Sequence, residues 1–116
     1  MSFEIRTIEV FDRQARRLAK HYASFKQDYA NLLKELHENP LLGTDLGGGV
    51  RKVRMAIASK GKGKSSGARV ITYAADVIIQ TGEGELILLS VYDKSEQSTI
   101  TDKEIVRLKR LASPKF

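Results

Sequence analysis

The 116-residue chain has no cysteine, which excludes disulfides and thiolate metal sites and suits a reducing compartment. Its strictly apolar stretches are no longer than Leu86 to Leu89, far short of the roughly 20 residues that cross a bilayer. The opening residues Met1 to Arg6 contain an acid and no apolar run of the kind a secretory signal needs, so the expectation is a soluble cytoplasmic protein. Histidine is scarce. His21 and His37 are the only two, and both fall at predicted helix ends, where capping or partial burial competes with the acid–base work to which imidazole is suited. Glu9, Asp12, Asp28 and Glu35 read as polar helix-face residues with no convergent spacing, so no metal site and no cofactor are expected. Repeats and low-complexity arrays are absent.

What is abundant is positive charge. Lysine and arginine number 20 against 14 acidic residues, a formal net charge of +6, so the surface calls for an anionic partner such as nucleic acid or an acidic protein. The length suits one domain over residues 1–116, burying roughly two-thirds of its unfolded surface. Phe3, Ile5 and Thr7 suggest a short opening strand. Phe11, Ala15, Leu18 and Tyr22 form one helical stripe, and Phe25, Tyr29, Leu32, Leu33 and Leu36 a second, opened by a capping-box pattern at Ser24 and Gln27 and closed at Asn39-Pro40. Gly43 and Gly47-Gly48-Gly49 supply turn chemistry. Residues 50–57, 68–79 and 85–92 then read as three strands, the last two joined by a hairpin loop at Thr81-Gly82-Glu83-Gly84. Thr101 and Glu104 form a second capping box, leading into a closing helix with Ile105, Leu108 and Leu111. The order β-α-α-β-β-β-α predicts an α+β fold with a single antiparallel sheet packed on helices.

The cations are concentrated. Between Leu46 and Ala75 no acidic residue occurs, while Arg51, Lys52, Arg54, Lys60, Lys62, Lys64 and Arg69 all do. Strand alternation puts Lys52 and Arg54 on the face opposite Val53, Met55 and Ile57; Arg51 breaks the alternation and suggests an edge or bulge. The loop Lys60-Gly61-Lys62-Gly63-Lys64-Ser65-Ser66-Gly67 is glycine-rich and basic, with the expected mobility of an unbound phosphate-tracking loop. The plainer reading is a solvated loop whose lysines keep the protein soluble. A nucleotide P-loop is set aside, because Ala58 stands at the position of its first glycine and a strand follows instead of a helix.

The order of elements and three segments together resemble the RelE superfamily, particularly its HigB branch: Gly49-Val50-Arg51-Lys52-Val53-Arg54, then Lys60 to Tyr73, then Leu88-Leu89-Ser90-Val91-Tyr92-Asp93-Lys94. The resemblance implies a compact sheet of the microbial-ribonuclease type, a cognate antitoxin, and ribosome-dependent cleavage of messenger RNA without a metal. It also implies roles. Lys52 and Arg54 match the paired cations on the first strand of the central sheet, Arg69 matches the strand arginine beside the scissile phosphate, and Lys94 the further basic residue past the last strand. One departure is that nothing after Tyr92 is a tyrosine, whereas some relatives place a catalytic tyrosine in that segment; either Tyr92 takes a related role or the chemistry runs without a phenol.

The expected chemistry is attack of a ribose 2′-hydroxyl on its own phosphate, which needs an anionic transition state stabilised and two protons moved. Arginine suits the first task, with a planar fork that stays charged, so Arg54 and Arg69 are the expected stabilisers. Lys52 as general base and Lys94 as leaving-group acid are hypotheses, since a lysine base must give up a proton it normally keeps at neutral pH. The loop lysines Lys60, Lys62 and Lys64 are expected along the RNA backbone, and Tyr73 and Tyr92 either stack on splayed bases or pack in the sheet. Two other functions share these residues: a ParE-like gyrase inhibitor, and a non-catalytic RNA- or ribosome-binding domain.

Overall fold

The two helical stripes build α1 (Glu9–His21) and α2 (Phe25–Glu38). Phe11 and Leu18 of the first and Phe25, Leu32 and Leu36 of the second are buried, each contributing about 1.5–3 kcal/mol by leaving water. The computed structural model describes residues 3–61 and 63–113. Its strands are β1 (Phe3–Thr7), β2 (Thr44–Gly47), β3 (Val50–Met55), β4 (Ala68–Ala74) and β5 (Gly84–Asp93), with helix α3 (Asp76–Thr81) between β4 and β5 and α4 (Asp102–Ala112) at the end. The strands form one five-stranded sheet of order β1-β5-β4-β3-β2, and α1 and α4 both pack on β5. The α+β class and the single sheet stand as expected. No helix among the described residues is long and apolar enough to cross a membrane.

Four local expectations are corrected. The sheet is mixed rather than wholly antiparallel, because β1 runs parallel to β5; the long stretch between them, which carries α1, α2, β2, β3, β4 and α3, permits the parallel arrangement that a hairpin forbids. The turn region before residue 50 contains a short edge strand, β2, paired antiparallel with β3. The strand expected over residues 68–79 stops at Ala74. Asp76 in the first turn and the left-handed Gly82 at φ 74°, whose N–H donates to the Ile78 carbonyl, end-stop a helix where β-branched residues had suggested a strand. The link between β4 and β5 is therefore longer than a hairpin loop, although the pair is antiparallel.

The capping boxes divide. Thr101 accepts a hydrogen bond from the Glu104 N–H at 3.1 Å, as expected. Ser24 does not cap α2. Its own backbone is helical, and its hydroxyl donates to Asp28 Oδ2 at 2.7 Å instead. Asp28, expected on a polar face, is buried at 7% exposure, where its carboxylate also accepts from the Ala58 N–H at 3.1 Å. This ties the start of α2 to the beginning of the lysine loop.

Candidate functional site

Period-two alternation in β3 buries Val53 and Met55 and turns Lys52 and Arg54 the other way. The edge strand β2 begins at Thr44, opposite Lys52, so among the described residues no strand pairs with the outer edge of β3 beyond that residue. A concavity of about 250 Å³ opens there, lined by Lys52, Arg54 and Lys64 together with Leu42, Gly43 and Thr44. Two strand cations and one loop cation thus share a single hollow.

Arg54 lies directly opposite Arg69 of β4, and Arg69 lies opposite Tyr92 of β5. Cross-strand partners share a face, so an arginine, a second arginine and a tyrosine form one row across the sheet. Arg69 is 4% exposed. Its guanidinium donates to the carbonyls of Lys64 at 3.0 Å, Ala68 at 3.1 Å and Ser65 at 3.0 Å. Burial and then the charge of Arg54 push Arg69 down from the ordinary arginine range. Tyr92 is also buried, and its hydroxyl has no hydrogen-bond partner among the described residues. Burial pushes this phenol up, and the neighbouring Arg69 partly offsets the shift.

The lysine loop is anchored at both ends. It contains two single-turn 3-10 helices, Ala58–Lys60 and Lys64–Ser66. The Lys60 ammonium points inward to Asp93 Oδ1 at 2.8 Å and the Ser66 carbonyl at 2.7 Å, with the Tyr22 ring 5.6 Å away. Asp93 is 1% exposed and also accepts from the Tyr22 hydroxyl and from Ser95. Burial alone would push its carboxyl up; the hydrogen bonds from Lys60, Tyr22 and Ser95 outweigh that and hold it well below the usual carboxylate range. Gly67 closes the loop against β3, where an added Cβ would stand 2.1 Å from the Met55 carbonyl oxygen.

The sequence-selected residues therefore divide. Lys52, Arg54 and Lys64 meet in the open concavity, with Lys64 also 3.3 Å from Glu35 in an exposed ion pair. Arg69 lies beneath them and Lys60 is turned into the protein. Lys62 lies outside the described residues. Lys94 is exposed just past β5, its backbone N–H donating to the Gly67 carbonyl at 3.0 Å. Tyr73, on the same face as Arg69 but at the far end of β4, has the Lys109 ammonium 4.9 Å from its ring centroid. Arg51, the residue that broke the alternation, is largely buried opposite Thr72, and its Nη1 and the Thr72 hydroxyl both lack partners among the described residues.

Asp93 and Tyr22 were not singled out from the sequence. A signal existed for the first: Asp93 continues the alternation of Val91, so an acid was due on a covered face and needed a cation. His21 and His37 sit in the last turns of α1 and α2, beside Tyr22 and Phe3. Among the described residues, no three of the histidines and acids gather as a metal-binding group.

The family model for the RelE toxin of the RelE/RelB toxin–antitoxin system matches residues 9–116, a span that holds Lys52, Arg54, Lys64, Arg69, Tyr92 and Lys94. Toxins of this family are generally endoribonucleases that inhibit translation. This chain belongs to the RelE toxin family, the toxin component of a toxin–antitoxin pair with a cognate antitoxin as its partner.

Proposed function

We propose that this protein is a metal-independent messenger-RNA endoribonuclease that works on the ribosome in the cytoplasm, and that it stands in the HigB-like branch of its family. One observation carries the reading: Lys52 and Arg54 line the same concavity while Arg54 stands opposite Arg69. Three cations at one place are costly for a fold to assemble, and an RNA phosphate would repay that cost. The strand cations and the lysine loop also lie in two of the three segments that carry the HigB resemblance.

In this mechanism the scissile phosphate lies against Lys52 and Arg54. The ribose 2′-oxygen forms a bond to phosphorus as the bond to the 5′-oxygen breaks, leaving a 2′,3′-cyclic phosphate and a 5′-hydroxyl. Arg54 holds the equatorial oxygens, and Arg69 adds its charge from beneath. Lys52 takes the proton from the 2′-hydroxyl and Lys94 returns one to the leaving 5′-oxygen. Tyr92 lies within the same row. Such a catalyst gains from a template, because a ribosome that holds the message in line for attack supplies orientation worth several kcal/mol.

The test is primer extension on messages from cells expressing the chain without its antitoxin. New 5′ ends should appear within translated frames, be absent from an untranslated copy of the same transcript, and vanish with Arg54→Ala. Equal cutting of both transcripts would remove the ribosome from the reading, and an absence of cuts would remove the nuclease.

A further inference from the structure

A second concavity, of about 490 Å³, lies at the other end of β4 between the β2–β3 turn, the start of α3 and helix α4. We infer that it is a nucleobase subsite for the same RNA, in which the Lys109 ammonium donates to, and the Asp76 carboxylate accepts from, the edge of one splayed base. This rests on the RNA-cleaving function proposed above.

The register between β3 and β4 is regular from Val50↔Tyr73 to Met55↔Ala68, so Arg69, Ile71 and Tyr73 alternate onto one face. Tyr73 therefore lies four residues along that face from the arginine pair, about 13 Å at a strand rise of about 3.3 Å per residue. Ile71 and Val50 between the two places are buried, so a message gripped at Arg54 would have to pass along the β2 edge of the sheet to place a nearby base there.

The lining has the chemistry of base recognition. Lys109 is fixed by its bond to the Gly48 carbonyl at 3.0 Å and by the Tyr73 ring, and an ammonium held by one acceptor has two N–H groups left to donate. Asp76 is exposed and, among the described residues, has neither a hydrogen bond nor an ion pair. Lys109 and Asp76 line the same hollow without pairing, leaving a fixed donor and a free acceptor across a gap. A base edge that sets an acceptor beside a donor fits that arrangement.

A backbone phosphate does not fit, since Asp76 would repel it, and an acidic peptide would meet the same carboxylate. The space depends on small residues. Ala74 and Ala75 contribute only methyl groups, and a Cβ on Gly48, at φ +61°, would stand 3.0 Å from Lys109 Nζ.

Two readouts test the subsite. Mapping cut positions with wild type, Asp76→Asn and Lys109→Gln should show a base preference at one fixed offset from the cut that collapses by about tenfold in both variants, the scale of a well-made side-chain–base contact. Titrating adenosine, guanosine, cytidine and uridine separately into the purified chain should shift the Tyr73 ring resonances for at least one of them, less so in Asp76→Asn. The nucleoside titration decides the subsite even if the chain cuts no RNA, so the two proposals can fail separately. Unchanged base frequencies at every offset, or no shift with any nucleoside, would overturn the inference; loss of antitoxin binding in the same variants would then assign the cavity to a protein partner.

Discussion

Arg54 and Arg69 face each other directly across β3 and β4, one exposed at the mouth of the concavity and the other buried at 4%. Like charges directly opposite one another destabilise a sheet, and favourable cross-strand pairs set the scale of such effects at roughly 0.2–1 kcal/mol. Arg54→Gln should therefore raise stability by about 0.5 kcal/mol in urea denaturation while lowering cleavage. Equal stability of the two proteins would mean that the pair is already screened without RNA.

Arg69 has a second task, holding the loop by three backbone carbonyls. Hydrogen bonds from a charged donor are worth about 1.5–3 kcal/mol each, less when neighbours share them. Arg69→Ala should lose roughly 3 kcal/mol of stability. Hydrogen exchange at Ser65, Ser66 and Gly67 should accelerate more than in β1. Uniform acceleration across the sheet would assign Arg69 to general packing instead of the loop.

Asp93 makes the fold's acid response specific. Its carboxyl is held below its unfolded value, so its stabilisation is fully present above about pH 4, the unfolded aspartate pKa, and is lost as pH falls through the lower folded value. Removing one partner of a buried pair costs about 3–5 kcal/mol, so Asp93→Asn should be less stable by about that amount at pH 7, with the gap closing only in strong acid. Denaturation at a series of pH values measures it. A gap that closes near neutral pH would implicate another group.

Tyr92 carries a buried hydroxyl with no partner among the described residues. An unsatisfied buried polar group costs about 1–3 kcal/mol, so Tyr92→Phe should raise the melting temperature while keeping the fold. If the phenol serves the reaction when RNA is bound, cleavage should fall despite that gain. A destabilised Tyr92→Phe protein would show that the hydroxyl has a protein or water partner.

Patterning made the outward pair Lys52 and Arg54 legible, because alternation in β3 says which side each residue takes. It also located both long helices, whose apolar stripes are complete. Patterning could not show what a side chain's head bonds to. Arg69 and Lys60 read as phosphate ligands by residue type, yet their heads are satisfied by loop carbonyls and by Asp93. Helix α3 is not legible by residue type, because Val77, Ile78 and Ile79 favour strands and Gly82 reads equally well as a turn residue as it does as a helix end. The parallel placement of β1 follows from packing across the whole chain, which no local window contains.

The measurement that bears most directly on the central claim is single-turnover cleavage of ribosome-bound message by wild type and Arg54→Ala, with ribosome affinity measured in parallel. If the Lys52–Arg54–Arg69 cluster stabilises the transition state, the rate should fall about 100-fold or more while affinity changes by no more than a few-fold. An unchanged rate, or a loss that saturating protein restores, would contradict it.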